Sequence, residues 1–496
     1  MIGPTRTALK LGVRLGVRLG VALGLSLTLS AALPAQPVPA TLDTIGIPFA
    51  FPAFIDGILA NHPVATQARL VADQARSDLR TAWGAFDPTI TATWDQKKFG
   101  GTQYYNYFDA ELKIPLPIGA DVTIAFDRTM GRYFNPDRRT AATGTFDVGI
   151  SIPLGQRILT DERRNALQQA RAARDAGDAD RTGMVNKLLF SAAKDYGVWY
   201  ESWRRRVIAQ EGEALAEFRL EAVRRRVANG ESAPIDTIEA LLELQRREVT
   251  RFEAEASFYL SSLDVTAYLW DDAGRPAPLP VDAKPVLLGI DRVGIDSTRL
   301  EALLDLATRR NPDLLKVQAR IKQAEAQRLF STQALLPLAE AKVAALGSSD
   351  SEQSFFDGER LDNNYKAGLS IKSPLLFLKE TGRFASSGQR LEFQRLERDR
   401  LRREVEFDAR SAIFDLFNLE RLRQRQVANV RNARLLRDAE QVRYENGEGT
   451  LLILNLRERL VLDESVKLAA VEAKVAGARA ALVVATGDRT LLLTPN

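Results

Sequence analysis

The chain has 496 residues, of which 45% are hydrophobic and 27% are charged, so it is long enough for two or more domains. It contains no cysteine and a single histidine, His62, which excludes thiolate metal sites and disulfides and leaves little room for His-based catalysis. We therefore expect no bound metal, no cofactor and no enzyme activity.

The first 35 residues have the composition of a secretory signal peptide. Four Lys or Arg residues and no acid precede an apolar run, Leu19 to Leu33, which ends in small residues suited to signal peptidase. A membrane anchor is the alternative, but this run is short for a spanning helix. Cleavage removes those four charges from a net charge of +4, so the mature chain is nearly neutral and nucleic acid is not an expected partner.

After this segment the sequence indicates two tandem repeats. A shift of 249 positions brings Pro63 and Pro88 onto Pro312 and Pro337, and a shift of 217 brings Asn229-Gly230-Glu231 onto Asn446-Gly447-Glu448. The predicted domains are a signal peptide at 1–35, an N-terminal extension at 36–56, a first repeat at 57–271, a connector at 272–297, a second repeat at 298–488 and a tail at 489–496.

Each repeat is predicted to contain one very long helix and one returning helix. Helical composition runs from Asp161 to Asn229 and from about Glu380 to Asn446, which is roughly 100 Å for each helix and requires a coiled-coil partner. Asn-Gly is a helix-ending turn signal, so the helices that follow, Pro234 to Trp270 and Thr450 to Thr486, are expected to run back antiparallel.

Between the helices, apolar and polar residues alternate with the period of a β-strand. Such runs occur at Thr89 to Asp95, Thr145 to Ile152 and Tyr365 to Lys372, and more weakly at Ala339 to Val343. Two further runs near 104–130 predict an additional hairpin in the first repeat. The polar faces suit a water-filled lumen better than a soluble sheet, which is the alternative; the predicted lumen residues are Asp147, Ser151, Lys366, Ser370 and Lys372.

Taken in order, these features resemble the TolC-type outer membrane efflux protein family. They are the signal peptide, the two repeats of helix, strand pair, long helix and returning helix, a strand ending in Ile152-Pro153-Leu154, and an Asn-Gly-Glu turn in each repeat. The resemblance implies a mixed α and β fold, in which a long α-helical coiled-coil barrel continues into a trimeric transmembrane β-barrel. It implies that each protomer gives four strands to that barrel.

The family also implies a function, a location and partners. The chain would be a passive outer-membrane exit duct with a large periplasmic portion, serving efflux or type I secretion. Its partners would be two further copies of itself, a periplasmic adaptor protein, an inner-membrane transporter and outer-membrane lipid. The adaptor would gate the duct at the periplasmic tips of the helices.

By the same resemblance, the two turns become the adaptor-docking tip, which comprises Asn229, Gly230, Glu231, Asn446, Gly447 and Glu448. Family members often carry an acid six positions after this glycine, near a constriction. Asp236 matches that position in the first repeat, but Ile453 occupies it in the second, so Asn455 or Glu458 would complete the gate lining. Asp236 is equally explained as a first-turn acid stabilised by the helix dipole.

Two other classes of function stay open at this stage. A periplasmic coiled-coil scaffold with a small soluble β-domain would have the same helices, but it would not need detergent for extraction. A secreted hydrolase that uses carboxylates alone would need a carboxylate pair in a cleft, and the sequence defines no such cleft.

Overall fold

The computed structural model of the chain describes residues 47–287, 297–348 and 364–488. The predicted signal peptide, most of the N-terminal extension, residues 288–296 of the connector and the C-terminal tail lie outside the described residues.

Long helices account for most of the described chain. The helices are α1 (Phe51–Asn61), α2 (Pro63–Trp83), α3 (Glu162–Ala228), α4 (Pro234–Thr266), α5 (Ser297–Arg310), α6 (Pro312–Gln333), α7 (Leu378–Glu445) and α8 (Leu451–Thr486). The strands are β1 (Pro48–Ala50), β2 (Thr89–Phe99), β3 (Thr102–Pro115), β4 (Asp121–Met130), β5 (Thr145–Pro153), β6 (Lys284–Val286), β7 (Leu338–Ser348) and β8 (Tyr365–Lys372).

Local sequence signals explain where the helices begin and end. Proline is the first residue of α2, α4 and α6, where its missing N–H costs no hydrogen bond. The Asp161 side chain caps α3 by accepting from the Arg164 N–H at 2.9 Å. With 67 and 68 residues, α3 and α7 are each about 100 Å long, as predicted.

The four long helices pack as one layer in the order α4, α3, α8, α7. Near the turns, α3 contributes Ala216, Leu220 and Val223 to a core shared with α4 and with Leu451 of α8. The inner two helices, α3 and α8, are therefore covered on both sides, whereas α4 and α7 lie at the two edges of the layer.

Both edge helices expose apolar stripes with coiled-coil spacing. On α4 the stripe contains Ile235, Ile238, Leu242, Val249, Phe252, Tyr259 and Leu263. On α7 it contains Phe407, Phe414, Phe417, Leu435 and Val442. Each of these residues lies three, four or seven positions from another residue of the same stripe, which is the spacing of a helix seam that packs against another helix.

One antiparallel sheet contains six of the strands, in the order β2-β3-β4-β5-β7-β8. The sheet therefore has two strands more than the four per protomer that the family resemblance implied for the barrel. The predicted hairpin, now β3 and β4, lies inside the sheet between β2 and β5. The sheet is open within the chain, and β2 and β8 are its edges.

A separate aromatic core holds the N-terminal segment against the middle of α3. β1 pairs in parallel with β6, and the Tyr196 hydroxyl accepts from the Val286 N–H at 2.9 Å while it donates to the Phe49 carbonyl. Burial raises the pKa of Tyr196, so this hydroxyl stays neutral. Phe51 and Phe54 of α1 pack on the same core, so α1 crosses the predicted boundary between residues 56 and 57.

Candidate functional site

The six-stranded sheet has one apolar face and one charged face, because neighbouring strands keep their alternation in register. On β5, Phe146, Val148 and Ile150 point to the apolar side; Val343 lies opposite Ile150, and Leu369 lies opposite Ala341. The apolar side chains are exposed in the single chain: Ile150 retains 39% of its accessible surface and Leu369 retains 66%. An apolar sheet face of this extent requires a covering partner or lipid.

The predicted lumen residues lie together on the charged face. Ser151 lies opposite Lys342, Ser370 lies opposite Glu340, and Lys366 lies opposite Ala344 on the same side. The Ser151 hydroxyl donates to the Glu340 carboxylate. A groove of about 530 Å³ on this face is lined by Asp147, Ser151 and Lys366, among others. Ser370 and Lys372 continue the same side of β8 towards the start of α7.

The β3–β4 hairpin extends this charged face. Asp109 lies opposite Asp127, and Glu111 lies opposite Ala125, which in turn lies opposite Asp147 of β5. Asp109, Glu111, Lys113 and Asp127 line the same groove as the predicted lumen residues. Sequence reasoning found the hairpin but not this contribution, since alternation within one strand does not reveal which strand it pairs with.

The two predicted docking turns have nearly the same backbone geometry. Gly230 and Gly447 both have φ of +77°, a left-handed conformation that glycine adopts without a steric penalty. The next amide of each turn bonds back to the preceding helix: the Glu231 N–H donates to the Arg226 carbonyl at 2.8 Å, and the Glu448 N–H to the Arg443 carbonyl at 2.9 Å. All six predicted tip residues are exposed.

The three predicted gate residues lie in different environments. Asp236 is half-buried in the first turn of α4. Asn455 and Glu458 are buried on α8, where Arg219 of α3 donates to Asn455 Oδ1 at 3.1 Å and to Glu458 Oε2 at 2.5 Å. Within the protomer, Asn455 and Glu458 therefore join α8 to α3.

This ion pair belongs to a charged cluster that sequence reasoning missed. Glu243 of α4 forms an ion pair with Arg247 at 2.6 Å and accepts a hydrogen bond from Arg459 of α8 at 3.2 Å, next to the Arg219–Glu458 pair. Arg219 and Glu458 are 239 positions apart in sequence. A pairing over that distance has no local signal, and on a long helix each residue looks like part of a solvated charged face.

Within the described ranges, no group of three or more His, Cys, Asp or Glu side chains could hold a metal ion. None of the helices described is both long and apolar enough to cross a lipid bilayer.

Comparison with known proteins identifies the fold. No family model and no curated protein matches the sequence. Solved structures do match: the CmeC outer membrane channel of Campylobacter jejuni has a TM-score of 0.58 at 11% identity, covering 88% of this chain and 84% of that one.

Two further structures agree with that result. The outer membrane protein VceC of Vibrio cholerae has a TM-score of 0.57 at 15% identity, covering 88% of this chain and 95% of that one. The open state of the Neisseria gonorrhoeae MtrE outer membrane channel has a TM-score of 0.59 at 16% identity, covering 88% of each chain. The chain therefore has the mixed α and β fold of the TolC-type outer membrane channels, and the resemblance inferred from the sequence is confirmed at the level of fold.

Proposed function

We propose that the protein is a homotrimeric outer-membrane exit duct, a passive channel that serves efflux or type I secretion and is not an enzyme. The observation that carries the proposal is the two-faced sheet. Its apolar face suits lipid and its charged face suits water, and it connects to helices about 100 Å long that end in exposed turns. A soluble scaffold would gain nothing from a wide, exposed apolar sheet face.

The two edges of the protomer support a ring of copies. At one edge lie β2 and α4, and at the other lie β8 and α7, so a head-to-tail arrangement brings unlike edges together and closes a ring. The apolar stripes of α4 and α7 would then pack as a coiled coil between copies. The number three comes from the family resemblance, as does the closed barrel continuous with a helical tunnel built from two tandem repeats.

The helix tips are proposed to receive a periplasmic adaptor that couples the duct to an inner-membrane transporter, which supplies the energy. Asn229, Gly230, Glu231 and their second-repeat equivalents offer exposed backbone and two carboxylates for docking. Opening at the tips requires α8 to move relative to α3, which must break the Arg219–Glu458 contact. Asp236, Asn455 and Glu458 would then line the opened passage.

Cell fractionation and bilayer recording test the duct. We expect the protein in the outer-membrane fraction, extractable only with detergent, and a channel in planar bilayers. The double variant Lys366→Glu with Lys372→Glu should shift ion selectivity towards cations, because both side chains lie on the charged face. Lys366→Arg with Lys372→Arg is the matched control and should leave selectivity unchanged.

Extraction without detergent would favour the periplasmic scaffold instead. Unchanged selectivity of the glutamate variant in a correctly inserted trimer would remove these lysines from the channel wall.

A further inference from the structure

We propose that the β3–β4 hairpin is part of the channel wall, so that three copies close an eighteen-stranded barrel in which β2 of one copy pairs with β8 of the next. The inference rests on the proposed duct and adds the size of its wall and the seam between copies. It departs from the twelve-stranded barrel that four strands per protomer would make.

The hairpin is paired along most of its length on both sides. β3 pairs with β2 from Thr102 to Lys113 and with β4 from Asn106 to Pro115. β4 pairs in turn with β5 from Asp121 to Asp127. Removing the hairpin from the wall would break the β2–β3 and β4–β5 ladders. The amides and carbonyls of β2 and β5 that bond to the hairpin would then lose these partners.

The faces of the hairpin match the faces of its neighbours. Leu112 lies between Ile90 of β2 and Ile124 of β4 on the apolar side. Glu111 lies between Thr91 and Ala125 on the charged side. A hairpin folded away from the wall in water has no reason to continue a lipid-facing stripe of this kind across three strands.

The closed end of the hairpin is fixed to the helical part. Asp121 accepts from Arg163 at 2.8 Å and pairs with Lys113 at 3.2 Å, and Arg164 donates to the Ile118 carbonyl at 3.3 Å. Arg163 and Arg164 belong to the first turn of α3. The hairpin turn is thus held at the end of the sheet from which the long helices leave.

The two edge strands can join copies only in one orientation. Because every neighbouring pair in the six-stranded sheet is antiparallel, β2 and β8 run in opposite directions, and β8 of one copy would lie antiparallel to β2 of the next. Both strands are exposed at every residue in the single chain. This pairing satisfies their free backbone groups.

Side-chain faces and charge then select the register of the seam. Charged-face positions are odd-numbered on β2, as in Thr91, Thr93 and Asp95, and even-numbered on β8, as in Lys366 and Lys372. If the first residue of β2, Thr89, lies opposite the last residue of β8, Lys372, then Asp95 lies opposite Lys366. Opposite charges in directly facing positions stabilise a strand pair.

A wall of eighteen strands makes a wider channel. At a strand spacing of about 4.8 Å and a tilt of about 40°, the backbone diameter is about 36 Å for eighteen strands and about 24 Å for twelve. Barrels of this strand number enclose an aqueous channel. The wall would therefore admit solutes of much larger cross-section, and the selection of solutes by size would fall to the helix tips.

Cysteine cross-linking tests the seam, since the natural chain contains no cysteine that could interfere. Asp95→Cys combined with Lys366→Cys should give covalently linked trimers with a short bifunctional thiol reagent in isolated outer membranes. Asp95→Cys with Lys372→Cys is the control, because six residues along a strand separate the thiols by about 20 Å. Cross-linking of the control pair alone, or of neither pair in an intact trimer, would overturn the proposed seam.

Thiol labelling tests whether the hairpin lies in the wall. Single variants Glu111→Cys and Leu112→Cys place a thiol at adjacent residues on opposite faces. With a charged maleimide, we expect Glu111→Cys to be labelled at least tenfold faster than Leu112→Cys, because lipid would cover the second site. If the two variants are labelled equally fast in a trimer that needs detergent for extraction from the outer membrane, the eighteen-stranded wall is wrong and the proposed duct is not affected. Recovery of the protein without detergent would instead overturn the proposed duct.

Discussion

The two helix hairpins of the molecule share one turn but place their returning helices in different surroundings. Gly230 and Gly447 have the same φ of +77° and equivalent return hydrogen bonds. Beyond the turns the similarity ends: α8 begins with a Thr450 side-chain cap and a buried Leu451, while α4 begins at Pro234 without a side-chain cap and exposes Ile235 and Ile238. The local Asn-Gly motif therefore specifies the reversal of the chain. The packing of the returning helix decides whether that helix lies inside the layer, as α8 does, or at its edge, as α4 does.

The two halves of the chain also contribute unequally to the six-stranded sheet. The first half supplies β2 to β5, and the second half supplies only β7 and β8, yet all six share one sheet with continuous faces. The added hairpin was accommodated because it preserved both the antiparallel order and the alternation of its neighbours.

The largest effect is expected where α8 is joined to α3. Glu458→Ala leaves Arg219 charged and without its carboxylate partner in a site where its side chain is only 13% exposed. We expect a loss of about 3–5 kcal/mol in the free energy of unfolding. The matched control is Glu404→Ala on α7, whose exposed pair with Arg400 should contribute little to the free energy of unfolding. Denaturant unfolding measures both; equal losses would mean that α8 is not held by this pair.

The next effect separates the two faces of the sheet. Arg at Ile150 or Leu369 should cost about 2–4 kcal/mol if these side chains meet lipid near the middle of the bilayer. Arg at Ser151 or Ser370 should cost clearly less, because the charged face is wet. Folding into lipid vesicles at increasing urea measures the difference. Equal tolerance at all four positions would indicate a soluble sheet.

A smaller change in stability, but a clear change in export, is expected at the two turns. Glu231→Arg with Glu448→Arg alters exposed charges, so trimer stability should change by less than about 1 kcal/mol. Export should fall if these carboxylates contact the adaptor, and the two single variants show which turn contributes more. Substrate secretion or drug susceptibility is compared at equal trimer abundance. Full export would leave the turns with a structural role only.

Local features of this fold could be read from the sequence, and long-range ones could not. Pro63 and Pro312 marked helix starts, Asn-Gly marked the turns, and alternation marked the strands, since each signal acts within a few residues. The parallel pairing of β1 with β6 and the Arg219–Glu458 pair join segments more than 200 residues apart. Such contacts form only in the assembled fold. The sequence therefore singled out Asn455 and Glu458 as predicted gate lining, but it did not indicate that both accept from Arg219 of α3.

The smallest effect is a pH dependence that distinguishes the two otherwise similar helix starts. His62 caps α2, where its Nδ1 accepts from the Val64 N–H at 3.1 Å, and Asn311 caps α6 by accepting from the Asp313 N–H at 2.9 Å. Only the imidazole can gain a proton, and a proton on Nδ1 would abolish the cap. Burial among groups such as Tyr268 and Trp270 lowers the pKa of His62.

The sign of the effect follows from that lowered pKa. Between the lowered folded value and the unfolded value of about 6.5, the unfolded chain binds more protons than the folded chain, so stability falls as pH falls through this range. Above it, the contribution of the neutral cap is fully present. His62→Asn gives the first half a cap that does not titrate, like Asn311, and should unfold at a temperature close to that of the natural chain at pH 8. Below pH 6.5 the variant should become the more stable of the two. The melting temperatures of the natural chain and of the His62→Asn variant are measured from pH 8 to below pH 6.5. If the two change with pH by the same amount, the folded chain keeps His62 neutral no more strongly than the unfolded chain does, and the two caps are equivalent.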